Sequence, residues 1–289
     1  MPEPRIPASR TESRDVAELK RLKTSQPELA EAADLHIELL EVQRRVQARA
    51  AVPWMDIGAD RVERSLRDGR PLLRFEDIRL DWTEFRLVFR QTADVLRRFD
   101  ALDVDAYRTI QAVTRDGNAL DPIVARWFNA AAAPEAAEAV PRVPALVHQD
   151  AMDQVLALAM RPFLERCANV MQQRVDFGGW RRGSCPLCGG EPEFAVLVSS
   201  GDRLLICGRC SVRWPFEEAR CPFCLNDSRA ALPSFASADG RYRLYACDMC
   251  RRYLKAYDAR QGGRPLMLAV DSVATLPLDA AAVGRGYAG

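Results

Sequence analysis

The sequence has few of the patterns by which enzymes are usually recognised. Its 289 residues include only two histidines, His36 and His148, and no phosphate-binding loop, dinucleotide fingerprint or Ser-His-Asp order. Charge of one sign is also missing, since 41 Lys and Arg face 40 Asp and Glu. A net charge of +1 is too small to favour nucleic acid or an anionic membrane. We therefore expect no catalytic function, no nucleic-acid partner, and a protein or small-ligand partner instead.

Long hydrophobic runs are absent as well. No apolar segment approaches the roughly 18 residues of a membrane span, which predicts no membrane insertion. The first 20 residues lack the apolar core of a signal peptide, so we expect a cytoplasmic protein. Disulfides are rare in that compartment, and the nine cysteines must therefore have another role.

The chain divides by pattern into a helical part and a cysteine-rich part, which predicts an α+β multidomain fold. Apolar residues recur at three- and four-residue intervals in the first part, for example Phe85, Phe89 and Leu96. Residues 129–145 are rich in Ala, Pro and Glu, as is typical of a loop. After Gly178 turns and short β-like runs replace the helical pattern. The predicted units are a flexible arm (1–14), an all-α helical domain (15–177), two tandem rubredoxin-like or zinc-ribbon four-cysteine modules (178–214 and 215–258), and a tail that packs back (259–289).

Eight of the nine cysteines form four C-x-x-C pairs. This spacing lets one tight turn direct two thiolates at one ion, and two such turns complete a tetrahedron of sulfurs. Eight cysteines therefore predict two metal ions, and tetrahedral sulfur sites hold iron or zinc equally well. The predicted metal ligands are Cys185, Cys188, Cys207, Cys210, Cys221, Cys224, Cys247 and Cys250.

The spacing between the pairs bears on which pairs share an ion. The gaps are 18, 10 and 22 residues, and the outer two are close to the roughly 15–20-residue hairpins of zinc ribbons. We predict consecutive pairing, first with second and third with fourth. An interleaved arrangement fits the same spacings less naturally, because each outer gap already holds strand-like runs that can return as a hairpin. The metals could serve structure alone or carry redox chemistry.

The single cysteine outside these pairs, Cys167, lies on the apolar face of a predicted long helix. It has no second cysteine or histidine near it in sequence, and we interpret it as a small buried hydrophobe. The two histidines are interpreted as core or surface residues. In the first cysteine turn Pro186 fixes the backbone and Gly189 permits a left-handed residue, whereas Leu225 stands at the equivalent place in the third.

Three segments that contain the cysteine pairs and the residues around them resemble the cysteine region of the FdhE family of formate dehydrogenase accessory proteins. They are CPLCGGEPEFAVL, LLICGRCSVRWPFEEARCPFC and YACDMCRRYLKAYD. In that family the second pair is followed by a Trp, here Trp214, and the fourth by Tyr-Leu-Lys, here Tyr253-Leu254-Lys255. The resemblance is firm over about residues 183–280, whereas over the helical part only the general character of the sequence is similar.

The resemblance implies a cytoplasmic accessory protein needed for assembly of active respiratory formate dehydrogenase. It further implies binding to the catalytic subunit of that enzyme, and metal of the rubredoxin iron type on the paired cysteines. Two alternatives are a rubredoxin-like electron-transfer protein and a zinc-ribbon nucleic-acid-binding protein. For the latter, residues 177–258 hold 12 Lys and Arg against 9 Asp and Glu, a small surplus for a phosphate-binding surface.

Residues just after the second and fourth cysteine turns are candidates for contact with a partner. Hairpin tips are usually exposed, and Arg and large aromatic residues are enriched at binding hot spots. For the two aromatic residues, filling of the small ribbon cores is the slightly favoured alternative. The candidates are Arg213, Trp214, Arg251, Arg252 and Tyr253.

Overall fold

Helices occupy the first part of the chain and a β-sheet the second. The computed structural model describes residues 13–49, 55, 57–116, 118–132, 148–261 and 263–289. Most of the predicted arm and the predicted loop beyond residue 132 lie outside these ranges. The helices before the sheet are α1 (Arg14–Ser25), α2 (Ala30–Arg49), α3 (Ala59–Asp68), α4 (Trp82–Arg98), α5 (Val104–Arg115), α6 (Leu120–Ala132) and α7 (Gln149–Met171).

Side-chain caps start several helices where the sequence offers Ser or Asp. The Ser13 hydroxyl accepts the Val16 N–H at the start of α1, and Asp81 accepts two N–H groups at the start of α4. The predicted apolar stripe of α4 faces inward, since Phe85 and Phe89 are fully buried. Burial of this stripe, rather than helix propensity, accounts for the stability of such helices.

Six strands form one sheet rather than two separate ribbons. Their order is β3-β2-β1-β6-β5-β4. Strands β1 to β3 form one antiparallel meander and β4 to β6 form another. The two meanders join where β1 runs parallel to β6, with Phe194 opposite Lys255. The strands are β1 (Pro192–Leu197), β2 (Arg203–Cys207), β3 (Arg213–Phe216), β4 (Ser234–Ala236), β5 (Tyr242–Ala246) and β6 (Tyr253–Asp258).

The C-terminal segment forms two short helices, α8 (Leu268–Ala274) and α9 (Leu276–Val283), that lie against both parts of the molecule. Met267, Val270 and Val273 cluster with Leu19 of α1. At the sheet, Asp279 accepts hydrogen bonds from Tyr253 and Lys255 of β6. These contacts join the segment to α1 and to β6.

One hydrophobic core runs from the helices into the first four-cysteine module. It contains Phe128 and Phe163 of the helical part together with Cys185, Leu187 and Trp214 of the cysteine-rich part. The predicted fold class, helices followed by a strand-rich region with two four-cysteine clusters, is confirmed. This core thus spans the boundary that the sequence pattern places at residue 177. Among the described helices none is long and apolar enough to cross a bilayer.

The shared core predicts cooperative unfolding of both parts. Replacing Phe128, which is fully buried, by Ala should lower the free energy of unfolding by about 3–5 kcal/mol. Amide hydrogen exchange should then quicken in β1 and β2 as much as in α4 and α7. Val104→Ala is the control, because Val104 is 41% exposed and its loss should change little. Unchanged protection of β1 and β2 in the Phe128 variant would contradict a common core.

Candidate metal centres

All four C-x-x-C segments fold into the same turn. In each, the N–H of the residue after the second cysteine donates to the carbonyl of the first cysteine, over 2.8–3.1 Å. That residue always adopts a left-handed conformation, with φ between 58° and 75°. Only the first turn uses Gly there, as predicted. The others place a residue with a Cβ at a cost of about 1–2 kcal/mol each. These four residues are Gly189, Ser211, Leu225 and Arg251.

The first and second turns bring four sulfurs together, and we call this cluster site one (Cys185, Cys188, Cys207 and Cys210). The Sγ of Cys188 lies 3.4 Å from the Sγ of Cys207 and 3.5 Å from the Sγ of Cys210. Cys185 and Cys210 are 3.6 Å apart. Four sulfurs about 2.3 Å from one ion would be about 3.8 Å apart, so the cluster fits a tetrahedral ion.

The third and fourth turns form a second cluster, called site two (Cys221, Cys224, Cys247 and Cys250). Here the Sγ of Cys221 lies 3.7 Å from that of Cys250, and the Sγ of Cys224 lies 3.6 Å from that of Cys247. The thiols therefore gather in consecutive pairs, and the interleaved arrangement is not the one observed. All eight thiols are free of disulfide bonds, as sulfur ligands to a metal must be.

Backbone N–H groups point at sulfur in site one. Leu187 N–H lies 3.4 Å from the Sγ of Cys185, and Arg209 N–H lies 3.3 Å from that of Cys207. In site two the side-chain amide of Asn226 lies 3.9 Å from the Sγ of Cys247. Such donors stabilise thiolates around any metal, so they fit iron and zinc alike.

The two sites differ most in their burial. In site one every cysteine is at most 1% exposed. In site two Cys224 is exposed and Cys250 is half-buried. Two apolar side chains beside these thiols also face solvent, Leu225 at 46% and Met249 at 70% exposure. Site one therefore has the surroundings of a structural centre, whereas solvent and other molecules can reach site two.

The helical part holds site one directly. Backbone N–H groups of Leu72 and Leu73, between α3 and α4, donate to the carbonyls of Pro186 and Leu187 over 2.9 and 2.8 Å. From α7, Arg161 donates to Glu193 over 2.6 Å and to the carbonyl of Gly208. These contacts join both turns of site one to helices that are distant in sequence, and sequence patterns gave no sign of them.

Several thiols in the two clusters have pKa values that differ from the ordinary value of a thiol. Burial raises the pKa of Cys185 and Cys210 far above the ordinary value of a thiol. Burial also opposes ionisation of Cys207, but hydrogen bonds from neighbouring thiols bring its pKa well below the ordinary value. In site two burial again opposes ionisation, yet backbone N–H and thiol hydrogen bonds lower the pKa of Cys247 to about 7. Metal binding at either cluster would release the remaining thiol protons.

Trp214 does not belong to a partner surface. Its side chain is fully buried, and its indole N–H donates to the carbonyl of Arg182 over 3.0 Å. Trp214 instead fills the core of the first module, which is the alternative given for it above. Tyr253 is half-buried, and its hydroxyl donates to Asp279 over 2.7 Å.

The three arginine candidates differ in what they contact. The guanidinium of Arg252 donates to both carboxylate oxygens of Glu191 over 2.7 and 2.8 Å, and this pair joins the two meanders. Arg251 stacks on Tyr287 at 4.1 Å and donates to the carbonyl of Arg285, although its side chain is half exposed. Arg213 is exposed at the outer strand β3. Arg213 and Arg251 are thus the candidates that a partner could contact.

The residues interpreted as lying outside the metal sites do so. Cys167 is fully buried on α7, and burial raises the pKa of its thiol to about 12, which makes it inert as a nucleophile. The Nδ1–H of the His36 imidazole donates to the carbonyl of Ala32 over 2.8 Å. His148 precedes α7 and lies 3.9 Å from Asp103.

We expect two ions per chain that differ in their rate of release. A chelator should remove the ion of site two at least about tenfold faster, because release from the buried site one requires local unfolding. Elemental analysis and a colorimetric chelator assay would measure both quantities. Cys224→Ser should abolish the fast phase and Cys188→Ser the slow phase. Release of both ions in one phase from the unmutated chain would contradict the expected difference in release rate between the two sites.

No protein-family model matches the sequence, and no curated protein matches it. Among solved structures, the chain is similar to the crystal structure of the FdhE protein from Pseudomonas aeruginosa. The two share 18% sequence identity, and the superposition has a TM-score of 0.61. It covers 95% of this chain and 91% of the other. The fold of this chain, helices and both four-cysteine modules together, is therefore the fold of an FdhE protein.

Proposed function

We propose that this chain is a cytoplasmic accessory protein that helps to assemble active respiratory formate dehydrogenase by binding its catalytic subunit. The observation that carries this proposal is the agreement in fold with an FdhE protein over 95% of the chain. The sequence resemblance adds the cysteine pairs and the residues that follow them to this agreement. An assembly factor needs a rigid binding surface rather than catalytic groups, and we propose that the chain is not an enzyme.

The two clusters support a division of roles within this function. Site one lies in the core that the helices share, so an ion there would stabilise the whole body. An ion in site two would hold two exposed turns in place. These turns present Leu225 and Met249 to solvent next to Cys224. Exposed apolar side chains beside a rigid metal site are suited to contact with a protein client.

Co-purification with the client tests this proposal. Met249→Asp and Arg213→Glu should each weaken retention of a formate dehydrogenase catalytic subunit by a tagged chain, since both side chains are exposed and neither contributes a sulfur ligand. Loss of one hot-spot contact is typically worth about 2 kcal/mol, or roughly thirtyfold in affinity. Metal content should be unchanged. Val104→Asp is the matched control, because Val104 is 41% exposed at the start of α5, in the helical part.

Two results would contradict parts of this proposal. Full retention by the Met249 and Arg213 variants, with metal intact, would remove those side chains from the contact surface. Failure of the unmutated, metal-loaded chain to retain the catalytic subunit would count against the assembly role itself.

Electron transfer of the rubredoxin type is a second candidate, favoured by the exposure of site two. Electron transfer requires a redox-active metal within reach of a partner, and Cys224 and Cys250 bring the sulfurs of site two to the surface. A visible absorption spectrum of anaerobically purified protein tests this role. Ferric iron on four thiolates is coloured and loses its colour on reduction, whereas a zinc-loaded chain is colourless and would exclude it.

A further inference from the structure

A cavity of about 350 Å³ lies beside site two. Cys221 and Cys247 form part of its wall, and Phe223, Leu232 and Leu254 give it an apolar side. This volume is at the lower end of the range found for small-molecule sites, about 300–1,000 Å³. The cavity therefore has room for a small ligand or a single side chain of a partner.

The cavity wall concentrates positive charge in a chain whose charges otherwise nearly cancel. Four arginines and one glutamate line it, against 41 basic and 40 acidic residues in the whole chain. The lining charged residues are Arg203, Arg220, Arg229, Arg252 and Glu218.

Most of these arginines have no carboxylate partner. Within the described ranges, Arg252 is the one lining arginine that forms an ion pair, and its partner Glu191 lies outside the cavity wall. The carboxylate of Glu218 accepts the hydroxyl of Tyr245 over 2.7 Å and pairs with none of the lining arginines. Arg203, Arg220 and Arg229 are thus left without an ion-pair partner in the part of the chain that the structure describes.

Arg203 is the most constrained of the three, because it is only 2% exposed. One of its terminal nitrogens donates to the backbone carbonyls of Glu217 and Arg220, and its Nε has no hydrogen-bond partner. Its guanidinium lies 5.4 Å from the ring centres of both Phe216 and Tyr245. Glu218 and Cys221 act on this charge from a distance, but neither forms an ion pair or hydrogen bond with it among the described residues. Burial of a cation without a direct anionic partner is costly, and a bound anion would lower that cost.

A competing explanation is that the arginines balance the negative charge of four thiolates around a divalent ion in site two. The hydrogen bonds of Arg203 go to backbone carbonyls, however, and none of them reaches a sulfur. The side-chain donor to sulfur in site two is Asn226. The two explanations predict different effects of removing an arginine, on anion binding in one case and on metal retention in the other.

We propose that this cavity binds a carboxylate that carries an apolar group. The apolar wall would take the group, while Arg203 and Arg229 would take the carboxylate, whose planar shape guanidinium donors match. This inference does not rest on the proposed role in assembly, because it follows from the cavity and its charges alone.

Binding of benzoate to the full-length, zinc-loaded chain tests the proposal. Ligand-observed NMR titration should show saturable binding of benzoate. Benzamide, which has the same shape without the charge, should bind at least about tenfold more weakly. Equal binding of the two compounds, or no saturable binding of benzoate, would overturn the proposal.

Matched variants locate the site. Arg229→Ser, at an exposed residue, and Arg203→Met, at a buried one, should each weaken benzoate binding at least about tenfold. Arg108→Ser removes an exposed arginine of α5 outside the cavity and should leave benzoate binding unchanged. Unaltered benzoate binding by Arg229→Ser and Arg203→Met, with loss of metal from site two, would overturn the proposal in favour of charge balance.

Two short peptides identify the source of the carboxylate. An acetylated Phe-Glu amide is compared with its Phe-Gln counterpart, which lacks the charge. Tighter binding of the Glu peptide than of benzoate assigns the cavity to a carboxylate of a protein partner. Weaker binding of the Glu peptide than of benzoate assigns it to a free small carboxylate, and both results retain the carboxylate site.

Discussion

The burial of a four-sulfur cluster inside a core that helices and strands share is the constraint on which the structure depends. Unpaired thiolates are poorly tolerated in an apolar interior, so the buried thiols of site one require an ion or their protons. Hydrogen bonds from Leu72 and Leu73 to the first cysteine turn fix the cluster against the helical part. An ion at this position would therefore connect two regions that are distant in sequence, which a small ribbon standing alone could not do.

A meander with two cysteine turns occurs twice, but the surroundings give the two copies different properties. The first copy is enclosed by α7 and by the chain between α3 and α4, and the second copy is open to solvent at Cys224. Repetition of a local structure therefore does not imply repetition of its role. The enclosed copy belongs to the shared core, whereas solvent and other molecules can reach the cysteines of the open copy.

Local features of the sequence were sufficient to predict the local structure. The C-x-x-C spacing, the apolar stripe of α4 and the strand-like runs each depend on residues close together in the chain, and the structure contains all three. Features that depend on distant residues were not predictable. The spacing of the cysteines carries no sign of which module the helices enclose. Nor does the sequence show that β1 and β6 join the two meanders into a single sheet.

The strand order also decides how the protein avoids aggregation. Joining the meanders through β1 and β6 leaves β3 and β4 as the two outer edges of the sheet. Exposed edges invite pairing with a second chain, and natural proteins oppose this with proline, charge or very short strands. Pro215 interrupts the donors of β3 next to the charged Arg213, and β4 is only three residues long. The sheet thus ends in two edge strands that offer few backbone hydrogen-bonding groups to a strand of a second chain.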